Sequence, residues 1–418
     1  MKRIVWILVF LGASVANAKC MIPNEKSSVD FLKSNQKNCL IQARFLGEQP
    51  VRSDAKFFES LVTPSTKSSL LNNTAVHCRF IYQQQNGASS KFRCVRTDSD
   101  NRLFDSRGEL VAEAFTLISD GDDIFLGDEL NRKLISSVTG KPRKAQVLKV
   151  RYSKWDGRHI ENYTSSAASR ILWALGVPAH SHIMTEKIIC FGCEKDPFRG
   201  QKQPLKKGGQ FALQEFPEAS IEFKFDGKRM YSPLEKPWDW KQVNSLLPYA
   251  SEQKRIEVEV FALITHFLTF TSTNSLQNAL VCVQKSKIDE SVCDDVVAMS
   301  HDIGAAFGTR IGTLRGKDHP RGDIQAYRKN TIFKKGTCQF NYQKSDGSVP
   351  MSFSKKAQTY FLERAKILDE QVLKTIFQAS RLGRLNLVGA NRNISTAEDQ
   401  WVSAILEKIQ EIAEAPCQ

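Results

Sequence analysis

Apolar and polar residues alternate through the first half of the chain and recur at helical spacing through the second. Val76 to Tyr82 and Lys91 to Arg96 alternate on either side of Gln85-Asn86-Gly87, which predicts a hairpin. Strand signals continue from Leu103 to Leu117, with turns at Asp105-Ser106-Arg107-Gly108 and Asp120-Gly121-Asp122-Asp123. Ala145 to Tyr152 is a further alternating strand. A helix follows from about Ile160 to Leu175, where Ala168, Ile171, Leu172 and Leu175 share a face and Gly176 stops the turn. An extended segment runs from Pro178 through Ile183 to Ile189, and Phe211 to Phe216 again reads as strand. From Trp238 onward the pattern is helical. Ile256, Val260, Leu263, Ile264 and Phe267 mark one buried face. Ser395 and Glu398 form a capping box ahead of Trp401, Ile405, Ile409 and Ile412.

This pattern divides the chain into residues 1–18, an N-terminal extension over 19–70, a strand-rich region over 71–220 and a helical region over 221–418. Residues 1–18 have the form of a secretory leader. Lys2 and Arg3 precede an apolar stretch too short to span a bilayer, and Ala16-Asn17-Ala18 offers small residues for cleavage. The expectation is therefore an exported protein, periplasmic or secreted, with no membrane-spanning segment in the mature chain.

All the cysteines lie beyond that leader, and their even number fits an oxidising compartment. A three-residue loop at Gln85-Asn86-Gly87 pairs Gln84 with Ala88. Six residues back along each strand, it sets Cys78 opposite Cys94. Cys282 and Cys293 bracket a short polar loop and read as a second stapled hairpin. Cys190-Phe191-Gly192-Cys193 lacks both the strand-to-helix context of a redox motif and the second cysteine pair of a zinc site, so it reads as a structural disulfide. The pairing of Cys20, Cys39, Cys338 and Cys417 stays open on sequence alone. The arrangement favoured is Cys20 with Cys39, beside Cys338 with Cys417.

The formal charge is +14, and loss of Lys2 and Arg3 lowers it by two. Such an excess suits an anionic ligand, a phosphate group or a membrane surface. The basic residues are dispersed, however, so a solvated surface is the preferred reading and nucleic acid is not expected. His180 and His182 flank one residue on an extended segment, which puts both rings on one side. With no third ligand beside them, they read as surface histidines. Lys202 to Gly209 reads as a hairpin tip. Neither a Gly-x-Ser-x-Gly elbow nor a phosphate-binding Gly-x-x-x-x-Gly-Lys-Ser/Thr loop is present.

The chemistry-bearing pieces stand in a recognisable order. Gln146-Val147-Leu148-Lys149-Val150 resembles the strand whose lysine grips nucleotide phosphates in kinases. A helix follows where a carboxylate pairs with that lysine, Phe267 to Cys282 stands where a catalytic loop belongs, and Asp302-Ile303-Gly304 resembles the Asp-x-Gly that holds magnesium. Leu148-Lys149-Val150-Arg151-Tyr152, Ala168 to Gly176, Cys190 to Cys193 and Asp302 to Gly308 together resemble a family of uncharacterised secreted bacterial proteins. Its core is similar to atypical kinases, the HipA-like and phosphatidylinositol-kinase-like group. The likeness runs from about Lys91 to about Leu382.

That resemblance implies an α+β, bilobal kinase-like fold, stapled by disulfides. It implies Lys149 and Glu161 on the phosphates of a nucleotide, and Asp302 with Asn278 on Mg2+. It also exposes departures. The catalytic Asp position carries Ser272 and the Asn position Gln277, or Asn278 with a one-residue slip. The helix carboxylate position carries Ser165, with Glu161 one turn earlier as its substitute. Serine cannot accept a nucleophile's proton as a carboxylate does. The expectation is a degenerate, pseudokinase-type protein that binds a ligand or an envelope protein partner. The alternatives are an active phosphotransferase and a structural envelope protein with no small-molecule ligand.

Overall fold

The structure is a computed structural model of the chain. It describes residues 19–23, 27–64, 69–81, 90–100, 102–105, 107–112, 134–135, 142–143, 145–152, 160–200, 213–230, 238–269, 278–300, 303–304, 306–308, 322–341, 353–386 and 394–418. The expected leader, residues 1–18, lies outside them, as does the hairpin loop around Gln85-Asn86-Gly87. The fold is α+β.

Its first half is dominated by a 9-stranded mixed sheet. Seven strands follow one another in the order Leu213–Pro217, Lys187–Phe191, Ala75–Ile81, Lys91–Thr97, Val147–Arg151, Ser220–Phe223 and Ser181–Met184. Leu103–Phe104 and Leu110–Ala112 continue from Lys91–Thr97. The extended segment expected from Pro178 to Ile189 is two strands. Ser181–Met184 lies at one edge and Lys187–Phe191 lies next to the other edge. Only Thr185 and Glu186 separate them, so the sheet curls until its ends almost meet. Backbone hydrogen bonds from Thr185 to Ala219, Glu186 to Thr74 and Glu218 to Glu186 fasten that closure.

Alternation gives the curl two unlike faces. Phe92, Cys94, Leu148, Val150, Ile183, Ile188, Cys190, Phe216 and Ile221 point inward and form one buried apolar core. Arg93, Lys149, Arg151, Glu222 and His182 occupy the alternate positions and point outward.

The helix Glu161–Ala174 packs on the outward face and begins a second, larger core. The same core takes in the helices Trp240–Leu246, Glu252–Phe267, Lys355–Ala365, Glu370–Ser380 and Ile394–Glu414. Local chemistry sets their starts. Asp239 and Gln242 form a capping box, while Ser251, Ser354 and Asp369 each cap the following turn. A three-stranded sheet of Lys228–Arg229, Asn278–Lys285 and Cys293–Ser300 lies in this half, and its last two strands are the hairpin expected around Cys282 and Cys293. Ser220–Phe223 straddles the boundary expected at residue 220.

Cys20, Cys39, Leu40, Phe45, Phe57 and Leu61 of the N-terminal extension are woven into this second core. The backbone of Arg44 bonds to Val296 and Ala298, and its guanidinium clasps Asp295 at 2.6 and 2.9 Å. Phe45 packs edge-on against Trp238 and Phe261. Arg170 ties the same segment to the sheet. Its buried guanidinium donates to the carbonyls of Leu61, Val62, Ser166 and His182 and to the side chain of Asn72. These neutral acceptors do not offset desolvation, and burial lowers its pKa to about 9.

Disulfides join Cys20 to Cys39, Cys78 to Cys94, Cys190 to Cys193, Cys282 to Cys293 and Cys338 to Cys417. The register of the first hairpin differs from expectation by two residues. Cys78 faces Arg96 and Cys94 faces Phe80, so that bridge runs diagonally, with Cα atoms 5.6 Å apart. Bridges in this number fit an oxidising compartment. Among the described residues, no helix is long and apolar enough to cross a membrane.

Candidate functional site

Four directly opposed residues run across the outer face of the curled sheet, one from each adjacent strand. Arg93 faces Lys149, Lys149 faces Glu222, and Glu222 faces His182. Arg151 lies two residues beyond Lys149 on the same face. Glu222 holds both cations. Its Oε1 accepts from Lys149 Nζ at 2.6 Å, and its Oε2 accepts from Arg151 Nε at 3.1 Å and from a terminal nitrogen at 2.9 Å. The other Arg151 terminal nitrogen reaches Glu161 Oε2 at 3.0 Å. Glu161 therefore meets the network through Arg151, and the partner of Lys149 is Glu222 from the neighbouring strand. The helix start lies over position 151, one strand residue-pair beyond 149, which places its carboxylate on the arginine.

Burial makes this network electrostatically strong. The Glu222 side chain is 2% exposed and that of Lys149 is 22% exposed. Desolvation alone would raise the Glu222 pKa, but Arg151 and then Lys149 override it and hold the carboxylate well below its ordinary 4.5. Lys149 is lowered, by desolvation first, against the opposing pull of Glu222. Lys224, on the same face two residues past Glu222, is also lowered, by loss of hydration and then by the positive charges of Arg229, Arg93 and Lys149. Among the described residues, cations outnumber carboxylates on this face.

Unpartnered polar atoms gather around it. Arg93 Nε, Ser165 Oγ, Ser220 Oγ and both ring nitrogens of His182 are buried without a hydrogen bond. Burial holds the His182 imidazole well below 6.5. Both histidines read as surface residues are buried, and His180 Nδ1 accepts from the Phe225 amide at 3.0 Å. Among the described residues, no group of three His, Cys, Asp or Glu is placed to hold a metal ion.

The Asp-x-Gly run reaches the same helix. Thr164 Oγ1 donates to the Gly304 carbonyl at 2.7 Å. A Cβ on Gly304 would stand 2.9 Å from Ser165 Oγ and 3.3 Å from Glu161, so this backbone lies directly against the helix face that carries both. Serine at 165 leaves room for the approach. Asp302 itself lies outside the described residues, as do Ser272, Gln277 and the Lys202 to Gly209 stretch.

In the hairpin of Asn278–Lys285 and Cys293–Ser300, Asn278 pairs directly with Ser300. Asn278 is buried, and its amide donates to the Trp238 carbonyl at 3.1 Å, while the Trp238 indole donates to Ala279 at 3.0 Å. A second tie lies close by in sequence. Phe307 N donates to Leu268 O and Gly308 N donates to Thr269 Oγ1, both at 2.9 Å. Thr269 and Phe307 both adopt left-handed backbone, with φ of 54° and 59°. Such conformations are costly for a β-branched or bulky residue and persist only where the surroundings enforce them.

The sequence singled out Lys149 and Glu161 but not their partners Glu222 and Arg151, nor Arg93, the like charge facing Lys149. The signal for Arg151 was present, since residues two apart on a strand share a face. Nothing local marks Glu222, because its role depends on which strand pairs with Val147–Arg151.

No family model matches the chain, and no curated protein matches it. A solved structure described as the crystal structure of the Golgi casein kinase with Mn/ADP bound aligns over 87% of this chain and 77% of that one, at 10% identity and a TM-score of 0.31, a superposition too loose to carry an argument.

Proposed function

We propose that this is an exported protein, periplasmic or secreted, with a kinase-like core and a degenerate catalytic loop. Its curled sheet would bind the phosphate group of a nucleotide or another phosphorylated ligand at Lys149 and Arg93. The surplus of cations on the outer face carries this reading. Among the described residues, Arg93, Lys149, Arg151 and Lys224 accompany two carboxylates, Glu161 and Glu222, in a setting where low hydration strengthens each charge–charge interaction. The order of pieces supports it. A lysine-bearing strand is followed by a helix whose first-turn glutamate enters the same network, and a later hairpin pairs Asn278 with Ser300. Asp302 would supply the carboxylate for Mg2+. By the resemblance, Ser272 would take the position of the proton acceptor, and loss of a general base typically removes about 10² to 10⁴ in rate. The protein is therefore read as a binder with little or no phosphotransfer.

The test is a thermal-shift titration of the oxidised protein with MgATP and, separately, with inorganic pyrophosphate. At least one is expected to raise the melting temperature of the wild type, with the shift lost in Lys149→Met. Absence of a shift with both would contradict the reading. Transfer of phosphate to any acceptor would replace the binder with an active phosphotransferase.

A further inference from the structure

His182 is the anomaly of this face. Its side chain is fully buried, yet neither ring nitrogen has a hydrogen-bond partner. A buried polar group without a partner costs the desolvation of that group, and a phenylalanine would fill the same space without the cost. The position of the ring suggests why it is kept. Glu222 is flanked on its own rung by Lys149 on one side and His182 on the other. Directly opposed side chains on antiparallel strands stand about 5 Å apart at Cβ, close enough for a glutamate to lean either way.

Resting on the phosphate-binding reading above, we propose that His182 is a positioning residue that takes over Glu222 when an anion draws Lys149 away. In the anion-free protein, Glu222 Oε1 accepts from Lys149 and Oε2 accepts from Arg151. An anion seated at Arg93 and Lys149 competes for the Lys149 ammonium and leaves Oε1 bare. Arg151 stays bound between Glu222 and Glu161 and keeps the carboxylate from leaving. A ring N–H of His182 then fills the vacated site on Oε1, and the orphaned imidazole gains its bond in the same movement. No bond to hydrogen need break, since neutral imidazole already carries one N–H. The remaining charged groups around the ring leave this exchange open. His180 is engaged by the Phe225 amide, and Arg170 meets His182 at its backbone carbonyl while its other N–H groups go to Leu61, Val62, Ser166 and Asn72. The anion thus finds a lysine that can be released without stranding a buried carboxylate.

The experiment uses histidine-labelled, oxidised full-length protein, with the His182 ring signals identified by their loss in His182→Gln. MgATP and inorganic pyrophosphate are the probes. On saturation, a ring N–H proton of His182 is expected to become slow-exchanging and to move downfield. In parallel, His182→Phe is expected to bind the effective probe about tenfold more weakly, as loss of one hydrogen bond to a charged group implies. His182→Gln, which can still donate, is expected to recover most of the affinity. If neither probe binds the wild type, the phosphate-binding reading itself fails. If a probe binds while the His182 signals stay unchanged, or if the phenylalanine variant binds as well as wild type, only the takeover by His182 is overturned.

Discussion

The two faces of the curled sheet are built from the same strands by opposite means. On the inner face, Phe92, Val150, Ile221 and Phe216 pack without polar atoms, and disulfides at Cys78–Cys94 and Cys190–Cys193 hold the wall. On the outer face, residues one position away on the same strands form a buried ion network that depends on each member having its partner. An apolar wall tolerates substitutions that conserve volume. A buried ion network does not, because an isolated buried charge is far costlier than a small misfit. The contrast separates an apolar, disulfide-held wall from a charged face in this half of the molecule.

One substitution on each face separates the two most clearly. Glu222→Gln leaves Lys149 and Arg151 without their shared carboxylate and is expected to destabilise the protein by about 3–5 kcal/mol in urea unfolding. Phe92→Leu on the inner face is expected to cost about 1 kcal/mol. Equal losses would show that the faces do not differ in kind. Next in size is the double change Cys78→Ala with Cys94→Ala. It opens a loop whose ends are 16 residues apart and is expected to cost about 3 kcal/mol, read from the same unfolding curves. A loss confined to the inner face should leave ligand-induced thermal shifts intact.

The smallest expected effect is on pH dependence. His182 in the folded protein has a pKa held well below 6.5 by burial, so below pH 6.5 the unfolded chain binds the proton that the folded one refuses. Stability therefore rises with pH up to about 6.5 and levels off above it, with a slope of at most about 1.4 kcal/mol per pH unit from this group. Glu222 adds a loss of the same sign only below its ordinary 4.5, where the unfolded carboxylate protonates and the folded one does not. Melting temperatures between pH 5 and 7 should show the histidine slope in wild type and a flatter profile in His182→Phe. An unchanged slope would mean that His182 is not the group that titrates.

Much of this architecture was legible in the sequence wherever local pattern decides the outcome. The helix Glu161–Ala174 and the strand Val147–Arg151 follow from periodicity, and the last helix, Ile394–Glu414, from an apolar stripe containing Trp401, Ile405 and Ile412. What was not legible depends on distant pairing. The break at Thr185–Glu186 carries no punctuating residue, so one extended segment was expected where two strands lie near opposite edges of the sheet. Histidines with alternate spacing look the same exposed or buried, and only the strand paired with Ser181–Met184 decides. Glu222 has no local signature, because its two cations come from a strand some 70 residues earlier, a separation of 73 for Lys149.

On the reading proposed above, the outer face would bind a phosphate-bearing anion at Arg93 and Lys149. The most direct measurement is a crystal structure of the oxidised protein grown with MgATP. Phosphate oxygens within hydrogen-bonding distance of Lys149 Nζ and the Arg93 guanidinium are the expected result. Nucleotide density on another surface, with Lys149 still held by Glu222, would contradict it.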